Sequence, residues 1–390
     1  MIRPSREYCC GCTACFSICG MNAISMYEND KGFLEPRIDM AKCMHCGKCE
    51  AVCPLNLSPD LKCGRTFIAA KHKNIRKRLK SQSGAAFAGM AEFVLAQQGV
   101  IYGVAQDDSF EAVYKRIDKL QELKKLFGSK YIQARVENIF QCVLEDLVKG
   151  SIVLFSGTPC HADGLRRFLL QKRINIDKLI IVDIICHGVP SPRLYREYLQ
   201  LFERVRNLKV TGFDFRNKKC GWHGHMALIR TGRKQFCCDD FVRFFYSHYA
   251  LRDSCYCCHY ANLCRVGDVT VGDCWGIEKT DPIFDDNKGV SLVILNTEKG
   301  KKIWDNISVN YDFVEKQSSE IMQHNLREPT EAPELLGQFW MDYAKYGSEY
   351  VLRHYCGCNP DGEEEYINKS NYLRRLVRKI SKIIKKTFYL

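Results

Sequence analysis

Two cysteine-rich stretches, CCGCTACFSIC (residues 9–19) and CMHCGKCEAVCP (residues 43–54), dominate the N-terminal part of this sequence. Both contain the spacing C-x2-C-x2-C-x3-C, and a proline follows the second set. The first set is Cys9, Cys12, Cys15 and Cys19, and the second set is Cys43, Cys46, Cys49 and Cys53. Three thiolates in one loop, with a fourth a little further on, are typical of ligands to 4Fe-4S clusters.

The doubled pattern is that of bacterial two-cluster ferredoxins, in which the fourth cysteine of each set binds the other cluster. We expect one cluster on Cys9, Cys12, Cys15 and Cys53, and a second on Cys43, Cys46, Cys49 and Cys19. Zinc also uses C-x2-C pairs, but one zinc ion needs only four ligands, so the doubled set favours iron–sulfur clusters. Residues 1–60 are therefore predicted to form a ferredoxin domain that conducts electrons, with Cys10 as a spectator beside a ligand.

The composition favours a globular, intracellular protein with redox chemistry. The chain of 390 residues has room for two or three domains. It has no apolar run long enough for a membrane span and no signal-peptide core at its start, so we expect a cytoplasmic protein. In a reducing compartment, 23 cysteines indicate metal binding or redox chemistry rather than disulfides.

Positive charge is concentrated at the C-terminus. The net charge is +13, but residues 366–390 carry eight Lys or Arg and no acidic residue, which leaves 13 − 8 = +5 for the rest. A nucleic-acid-binding function is therefore disfavoured. Residues 341–390 are predicted to be a helical extension. Its basic amphipathic end (residues 371–390) suits either a membrane surface or a partner, or else a helix that caps this protein's own core.

Beyond a basic segment at residues 61–80, expected to be a linker, strand-like and helix-like stretches alternate. This alternation predicts a mixed α/β sheet covered by helices. The junctions carry FSGTPC (155–160), CHGVPSP (186–192) and CYCCHYANLCRVGDVTVGDCWG (255–276). Taken singly, each could be an ordinary turn, a core cysteine or a zinc knuckle.

Together with SQSG (81–84) and FGSKYIQ (127–133), these segments resemble the beta-subunit family of coenzyme F420 hydrogenases and dehydrogenases. The likeness covers roughly residues 1–340. It is closest to the bacterial branch that carries an N-terminal ferredoxin and is often associated with surface-polysaccharide synthesis. The resemblance implies an α+β or α/β fold, in which the ferredoxin precedes a mixed-sheet, FAD-binding iron–sulfur domain at residues 81–340.

The resemblance also implies site residues. Those at flavin-side positions are Ser83, Gly84, Gly128, Ser129, Lys130, Tyr131, Ser156, Gly157, Thr158 and Pro159, and Ala85 replaces a usual second glycine. Those at family cysteine positions, expected to hold a third 4Fe-4S cluster, are Cys160, Cys186, Cys255 and Cys258. Cys257 and Cys264 have no assigned role, and either could replace one of these four.

Two side chains are candidates for catalysis. His187 could donate a proton to flavin or substrate, since an ordinary histidine pKa is about 6.5. It could equally be hydrogen-bonded to a neighbouring loop. Lys130 could stabilise an anionic flavin or pyrophosphate, or be a surface lysine. Trp222, His223 and His225 are pocket candidates, although a hairpin would also explain them.

The leading hypothesis is an iron–sulfur flavoprotein oxidoreductase that exchanges electrons with a redox donor protein or reduced cofactor. Its substrate would be organic, and glycan-related if the family association holds. Membrane-surface contact through the C-terminal tail would suit such a substrate. One alternative uses the deazaflavin F420, and another is a non-catalytic electron-transfer subunit.

Overall fold

A computed structural model describes residues 8–56, 59–63, 66–232 and 234–361 of the chain. The amphipathic segment predicted at residues 371–390 lies outside these ranges. Of the predicted C-terminal extension, residues 341–361 are described, and they include helical structure. In the described part, no helix combines the length and apolar character needed to cross a bilayer.

The secondary structure alternates along most of the chain. The helices are Ala14–Ile18 (α1), Lys48–Ala51 (α2), Ile75–Lys80 (α3), Ala86–Ala96 (α4), Ile139–Val148 (α5), Pro159–Gln171 (α6), Pro192–Arg206 (α7), Asp240–Tyr246 (α8), Ile277–Thr280 (α9), Glu298–Ile307 (α10), Leu336–Tyr346 (α11) and Ser348–His354 (α12). The strands are Ile24–Glu28 (β1), Leu34–Ile38 (β2), Lys62–Cys63 (β3), Thr66–His72 (β4), Val100–Gln106 (β5), Ala112–Ile117 (β6), Val153–Gly157 (β7), Leu179–Ile184 (β8), Gly212–Asn217 (β9), Met226–Thr231 (β10), Lys234–Cys238 (β11), Cys264–Arg265 (β12), Val269–Asp273 (β13), Ser291–Leu295 (β14) and Tyr311–Lys316 (β15).

The central sheet is mixed, as the alternation predicts. Its strand order is β15-β4-β14-β13-β8-β7-β5-β6. Strands β13, β8, β7 and β5 are parallel to one another, and each outer strand (β15, β4, β14 and β6) pairs antiparallel with its neighbours. A smaller antiparallel sheet has the order β11-β10-β9. The parallel centre matters for function, because its strands end at the same edge of the sheet.

Side chains of the central strands alternate between the two faces of the sheet. Ile101 of β5 and Leu154 of β7 belong to one buried cluster, whereas Tyr102 and Phe155 belong to another. Helices α4 and α10 contribute to the first cluster, and α5, α6 and α7 to the second. Because both faces of the sheet are covered, successive residues of these strands are buried, and the strands are continuous apolar runs in the sequence.

The ferredoxin module consists of two cysteine loops, α1, α2 and the β1–β2 hairpin, and it packs directly on the main domain. Helix α1 packs against α6. The Ser191 hydroxyl, which caps α7, also donates to the Lys31 carbonyl at 2.6 Å. Arg193 and Arg196 of α7 both pair with Glu28, at 2.7 and 2.8 Å. The ferredoxin module is thus held by contacts with α6 and α7 and not only by the chain segment that follows it.

The segment expected to be a linker differs from that expectation. Residues 66–72 form β4, which pairs with both β14 and β15, and α3 follows it. Ile68, Ala69 and Ala70 are buried, and the basic Lys71 Nζ donates to the Phe284 carbonyl at 2.8 Å. The apolar run of β4 is short and lies between basic residues, so the composition of the segment did not indicate a strand.

Candidate functional site

The carboxyl ends of the parallel strands β7, β8 and β13 open into one cavity of about 260 Å³. Its wall is drawn mainly from residues 81–88, 126–134, 156–158, 184–189 and 271–275. In open α/β sheets, ligands bind in such a crevice beyond the strand ends. A large, mostly apolar pocket with a few polar groups is the usual form of a cofactor site.

The turn between β7 and α6 forms one side of this cavity. Ser156, Gly157 and Thr158 line it, while the buried Pro159 begins α6. A methyl group on Gly157 would lie 2.0 Å from the Tyr114 hydroxyl, so only glycine fits there. Thr158 is the N-cap residue but makes no side-chain capping bond. The first N–H groups of α6 therefore favour an anion at the cavity wall.

The predicted turn at Ser83 and Gly84 precedes α4 on the opposite side. Ser83 lines the cavity, but Gly84 packs against the sheet, where a Cβ would meet the Ala70 carbonyl at 2.0 Å. The Gly84 N–H donates to the Ser291 hydroxyl at 2.8 Å. Ala85 lines the cavity with a φ of 69°, in the left-handed region that favours glycine. The structure therefore gives Gly84 a packing role and places a strained alanine at the wall.

Residues 128–131 also line the cavity, as the resemblance implies. Within this segment, the Lys130 ammonium group donates to the carbonyls of Leu126, Phe127 and Gly128, at 3.2, 2.9 and 3.0 Å. Burial lowers the pKa of Lys130 to about 7, although Asp214 opposes the shift. Lys130 is thus not a free surface lysine, because it lines the cavity and its Nζ closes its own loop.

Asp273, at the end of β13, was not singled out from the sequence. Its carboxylate pairs with Arg216 and accepts a hydrogen bond from the Ser83 hydroxyl. It also accepts from Trp222 Nε1 at 2.6 Å. Burial by itself raises the pKa of Asp273, but the Arg216 charge and these hydrogen bonds outweigh it and hold the pKa below its ordinary value. The ion pair fixes the Ser83 turn against the end of β13.

The aromatic residues chosen from the sequence lie behind the cavity wall rather than on it. Trp222 is buried and stacks on Trp275, which does line the cavity, with ring centroids 4.7 Å apart. His225 stacks on Trp275 at 4.8 Å, and His223 pairs with Asp285 at 2.7 Å. The Arg216 guanidinium lies 4.7 Å from the Trp275 ring centre. The Gly-Asp-Cys-Trp sequence that follows an apolar strand could have identified Asp273 and Trp275 as site residues.

His187 lines the cavity beside Cys186, as expected. Burial lowers the pKa of His187 to about 4, and the nearby imidazoles of His248, His324 and His225 act in the same direction. The expectation of an ordinary histidine pKa is therefore wrong. At neutral pH the His187 ring is uncharged.

The four cysteines expected to hold a third cluster lie together. Cys186 is within electrostatic range of Cys160 and Cys258, and Cys255 is within range of all three. Burial, together with these neighbouring thiols, raises the pKa of Cys186 to about 12. The Gly188 N–H points at Cys186 Sγ from 3.4 Å. Four neighbouring, partly buried thiolates are favourable only beside positive charge, which iron would provide, so the residues fit a 4Fe-4S cluster.

One half of the crossed ferredoxin pattern has a counterpart in the structure, because Cys9, Cys12, Cys15 and Cys53 line one small cavity. The assignment of Cys19 to the second cluster stays a prediction. Burial raises the pKa of Cys15 well above its usual range, and Cys9 and Cys53 add to the effect. Cys53 therefore lies with the first loop rather than with its own. In the second loop, Cys46 is exposed and Cys49 lies beside it. Cys12 and Cys53 are buried, whereas no cysteine of the second loop before Cys53 is buried and Cys46 is exposed.

Two further observations concern the remaining cysteines. Cys264, considered above as a replacement ligand, forms a disulfide with Cys63 that joins β12 to β3. For this pair, the expectation that cysteines serve metal binding or redox chemistry rather than disulfides is wrong. Cys257 is exposed. Across the described ranges, no three His, Cys, Asp or Glu side chains are close enough to hold a single metal ion.

Comparison with protein families gives two matches. Residues 150–320 match the family described as the C terminus of the beta subunit of coenzyme F420 hydrogenase/dehydrogenase. Residues 8–57 match the 4Fe-4S dicluster domain. The first match spans β7, β8 and β13, and the second spans both cysteine loops.

Individual relatives are distant. The F subunit of the F(420)H(2) dehydrogenase of Methanosarcina mazei is 21% identical over 79% of this chain and 85% of its own length. The beta subunit of the F420-dependent formate dehydrogenase of Methanocaldococcus jannaschii is 22% identical over 65% of this chain and 62% of its own length. A structure of the F420-reducing NiFe hydrogenase complex from Methanosarcina barkeri matches with 15% identity and a TM-score of 0.48, covering 75% of this chain and 90% of that one.

These matches confirm the iron–sulfur prediction and the general family resemblance. The chain is an iron–sulfur protein of the oxidoreductase type, related to the beta subunits of F420 hydrogenases and formate dehydrogenases.

Proposed function

We propose that the chain is an FAD-dependent iron–sulfur oxidoreductase whose flavin binds in the cavity at the ends of β7, β8 and β13. One observation carries this proposal. The segment 184–189 belongs to the cavity wall and also contains Cys186, a member of the third cysteine set. A cofactor in the cavity would therefore lie beside a candidate cluster.

Different residues of the chain would bind the cofactor and hold the loops around it. The N-termini of α4 and α6 converge on the cavity and favour the pyrophosphate of a dinucleotide. Lys130 holds the 126–130 loop in shape, and the Arg216–Asp273 pair holds the Ser83 turn. When bound, flavin supplies the ability to exchange two electrons with a substrate and single electrons with a cluster.

Cofactor content is the first test of this proposal. Protein purified without oxygen should contain about twelve iron atoms, for three cubes, and one FAD. Cys160→Ala and Cys258→Ala should each remove about four iron atoms while leaving the ferredoxin clusters in place. About eight iron atoms without flavin in the unmodified chain would contradict the flavin assignment and favour an electron-transfer subunit without catalysis.

A charge substitution tests where the flavin binds. Thr158→Glu places a carboxylate at the start of α6, which suits the helix but repels a pyrophosphate. Thr158→Gln has nearly the same size and no charge, so it is the matched control. We expect the Glu variant to lose FAD and the Gln variant to retain it, with iron content unchanged in both. Equal retention would place the flavin elsewhere.

F420 is a second candidate partner, because the names of both curated relatives include it. Anaerobic protein loaded with iron and flavin should then reduce or oxidise F420, which is followed by the absorbance of that coenzyme. A link to surface-polysaccharide synthesis, with a glycan-related substrate, is proposed on the resemblance alone.

A further inference from the structure

Cys10 lies between two ligand sets although the spacing pattern leaves it out of both. Its thiol interacts with Cys12 of the first ferredoxin loop and with Cys160 at the start of α6. Cys10 lines the small cavity formed by the first ligand set. It also packs, with Cys160, Cys255 and Cys258, against one buried cluster. These contacts with two ligand sets indicate more than the spectator role that the spacing predicted for Cys10.

A buried arginine provides a second, independent link between the same two regions. Arg252 is 3% exposed, and its Nε donates to the Cys9 carbonyl. Its own backbone N–H donates to the Val189 carbonyl at 3.0 Å, and its carbonyl accepts from the Cys255 N–H at 2.8 Å. One residue thus ties the first ferredoxin loop to both Cys186 and Cys255 segments.

Helix α6 is shaped to receive this loop. A Cβ on Gly164 would lie 2.9 Å from Cys12 Sγ, so the glycine allows Cys12 to approach the helix. Gly164 is four residues after Cys160, which places both on one face of α6. The close approach and the Cys10–Cys160 contact therefore belong to one interface.

The second ferredoxin set has a different environment. Cys46 is exposed, and Met44 beside it is 63% exposed. Met40, which precedes Cys43, is also exposed, as is Met21, which follows Cys19, the fourth ligand expected for the second cluster. The second set is the one that an external electron donor can reach.

We propose that Cys10 joins the first ferredoxin set to the third cysteine set, so that electrons entering at the exposed second set cross to the cavity at the Cys10–Cys160 contact. This inference rests on the proposed function, because it needs a cluster on the third set. Cys10 is a positioning residue, since it contacts ligand residues rather than iron. In each transfer, one cluster loses an electron and is oxidised while the other gains it and is reduced. The electrons come from a low-potential one-electron donor, and no bond forms or breaks.

The test compares Cys10→Ala and Cys10→Ser with Cys257→Ala, which removes an exposed cysteine beside the third set. Each full-length protein is purified without oxygen and mixed with reduced methyl viologen in a stopped-flow instrument. Iron content and the cluster signals in electron paramagnetic resonance should be unchanged in all three. Reduction of the ferredoxin clusters should keep its rate. Reduction of the flavin should slow several-fold in Cys10→Ala, because removal of the thiol opens the contact between the two cysteine sets, and should stay unchanged in Cys257→Ala.

The outcomes separate the two proposals. Equal flavin-reduction rates in Cys10→Ala and the unmodified chain would overturn the role of Cys10 and leave the proposed function intact. Loss of about four iron atoms in both Cys10 variants would make Cys10 a ligand and also overturn it. About eight iron atoms in the unmodified chain would overturn the proposed third cluster, and this inference with it. A slower rate in Cys10→Ala that Cys10→Ser partly restores supports the proposal.

Discussion

Replacing Asp273 by alanine should destabilise the protein far more than removing a typical ion pair does. The Arg216 side chain is 5% exposed and that of Asp273 13%, so the variant leaves a buried guanidinium without its counter-charge. Removing one partner of a buried pair costs about 3–5 kcal/mol. Trp222 Nε1, which donates to Asp273 at 2.6 Å, also loses its acceptor, at about 1–3 kcal/mol. Because these losses overlap, we expect a total near the upper part of the 3–5 kcal/mol range.

The chain offers a matched control on the same strand as Arg216. Asp214 pairs with Arg230 at 2.8 Å, but their side chains are 34% and 37% exposed. Removal of such a pair costs about 0–1 kcal/mol. Asp214→Ala therefore deletes the same carboxylate from a comparable pair in a solvated setting.

Urea unfolding followed by tryptophan fluorescence measures both variants, since Trp222 and Trp275 stack beside the pair. The double variant Asp273→Ala with Arg216→Met should lose less stability than the sum of the single variants, because no buried charge is left unpaired. If Asp273→Ala costs about 1 kcal/mol or less, as expected for Asp214→Ala, the pair is not a buried one in solution and the reasoning fails.

Three further predictions concern backbone strain, the partly buried Lys130 and the disulfide. Ala85→Gly should raise the free energy of unfolding by about 1 kcal/mol by relieving the left-handed backbone. The control Ala91→Gly, in the middle of α4, should lower it by at least about 0.5–1 kcal/mol, and a loss in both variants would contradict the first expectation. Burial lowers the pKa of Lys130 from 10.5 to about 7, so the folded state binds this proton less tightly than the unfolded state does. The free energy of unfolding of the unmodified chain should therefore rise as the pH increases from about 7 to 10.5. In urea unfolding, the stability of Lys130→Met minus that of the unmodified chain should therefore be larger at about pH 6 than at about pH 9. A stability difference between the two proteins that does not vary with pH would refute the assignment. Cys63→Ser should cost about 2–5 kcal/mol of stability under oxidising conditions, because the disulfide closes a loop of 201 residues. The effect should disappear when a reductant is present in both samples, and its persistence would mean that packing rather than the bond is lost.

The sequence predicted the parts of the site that depend on local spacing or on a recurring junction. The crossed assignment of Cys53 needed only the ferredoxin spacing, and the turn at Ser156 to Thr158 needed only a strand followed by a helix. The Arg216–Asp273 pair is different, because 57 positions separate its members and nothing local identifies them as partners. The same limit applies to Cys10, whose contact with Cys160 depends on how the ferredoxin module packs on α6.

Some differences arise from environment rather than from position. His187 and Lys130 lie where they were expected, but burial shifts their pKa values, and burial is a property of the folded chain. The strand β4 escaped notice because its apolar residues number only a few and basic residues surround them. Its partners, β14 and β15, come from the distant C-terminal part of the chain.

The position of β4 has a consequence for biosynthesis. This strand ends at residue 72, yet both strands that pair with it begin only at residues 291 and 311. A ribosome adding about 5–20 residues per second needs roughly 10–40 s to produce the intervening chain. During that interval the ferredoxin module is already outside the ribosome, while β4 has two unpaired edges. Nascent chains that stop before residue 291 therefore expose a template for aggregation, and soluble fragments of this protein should extend beyond residue 316.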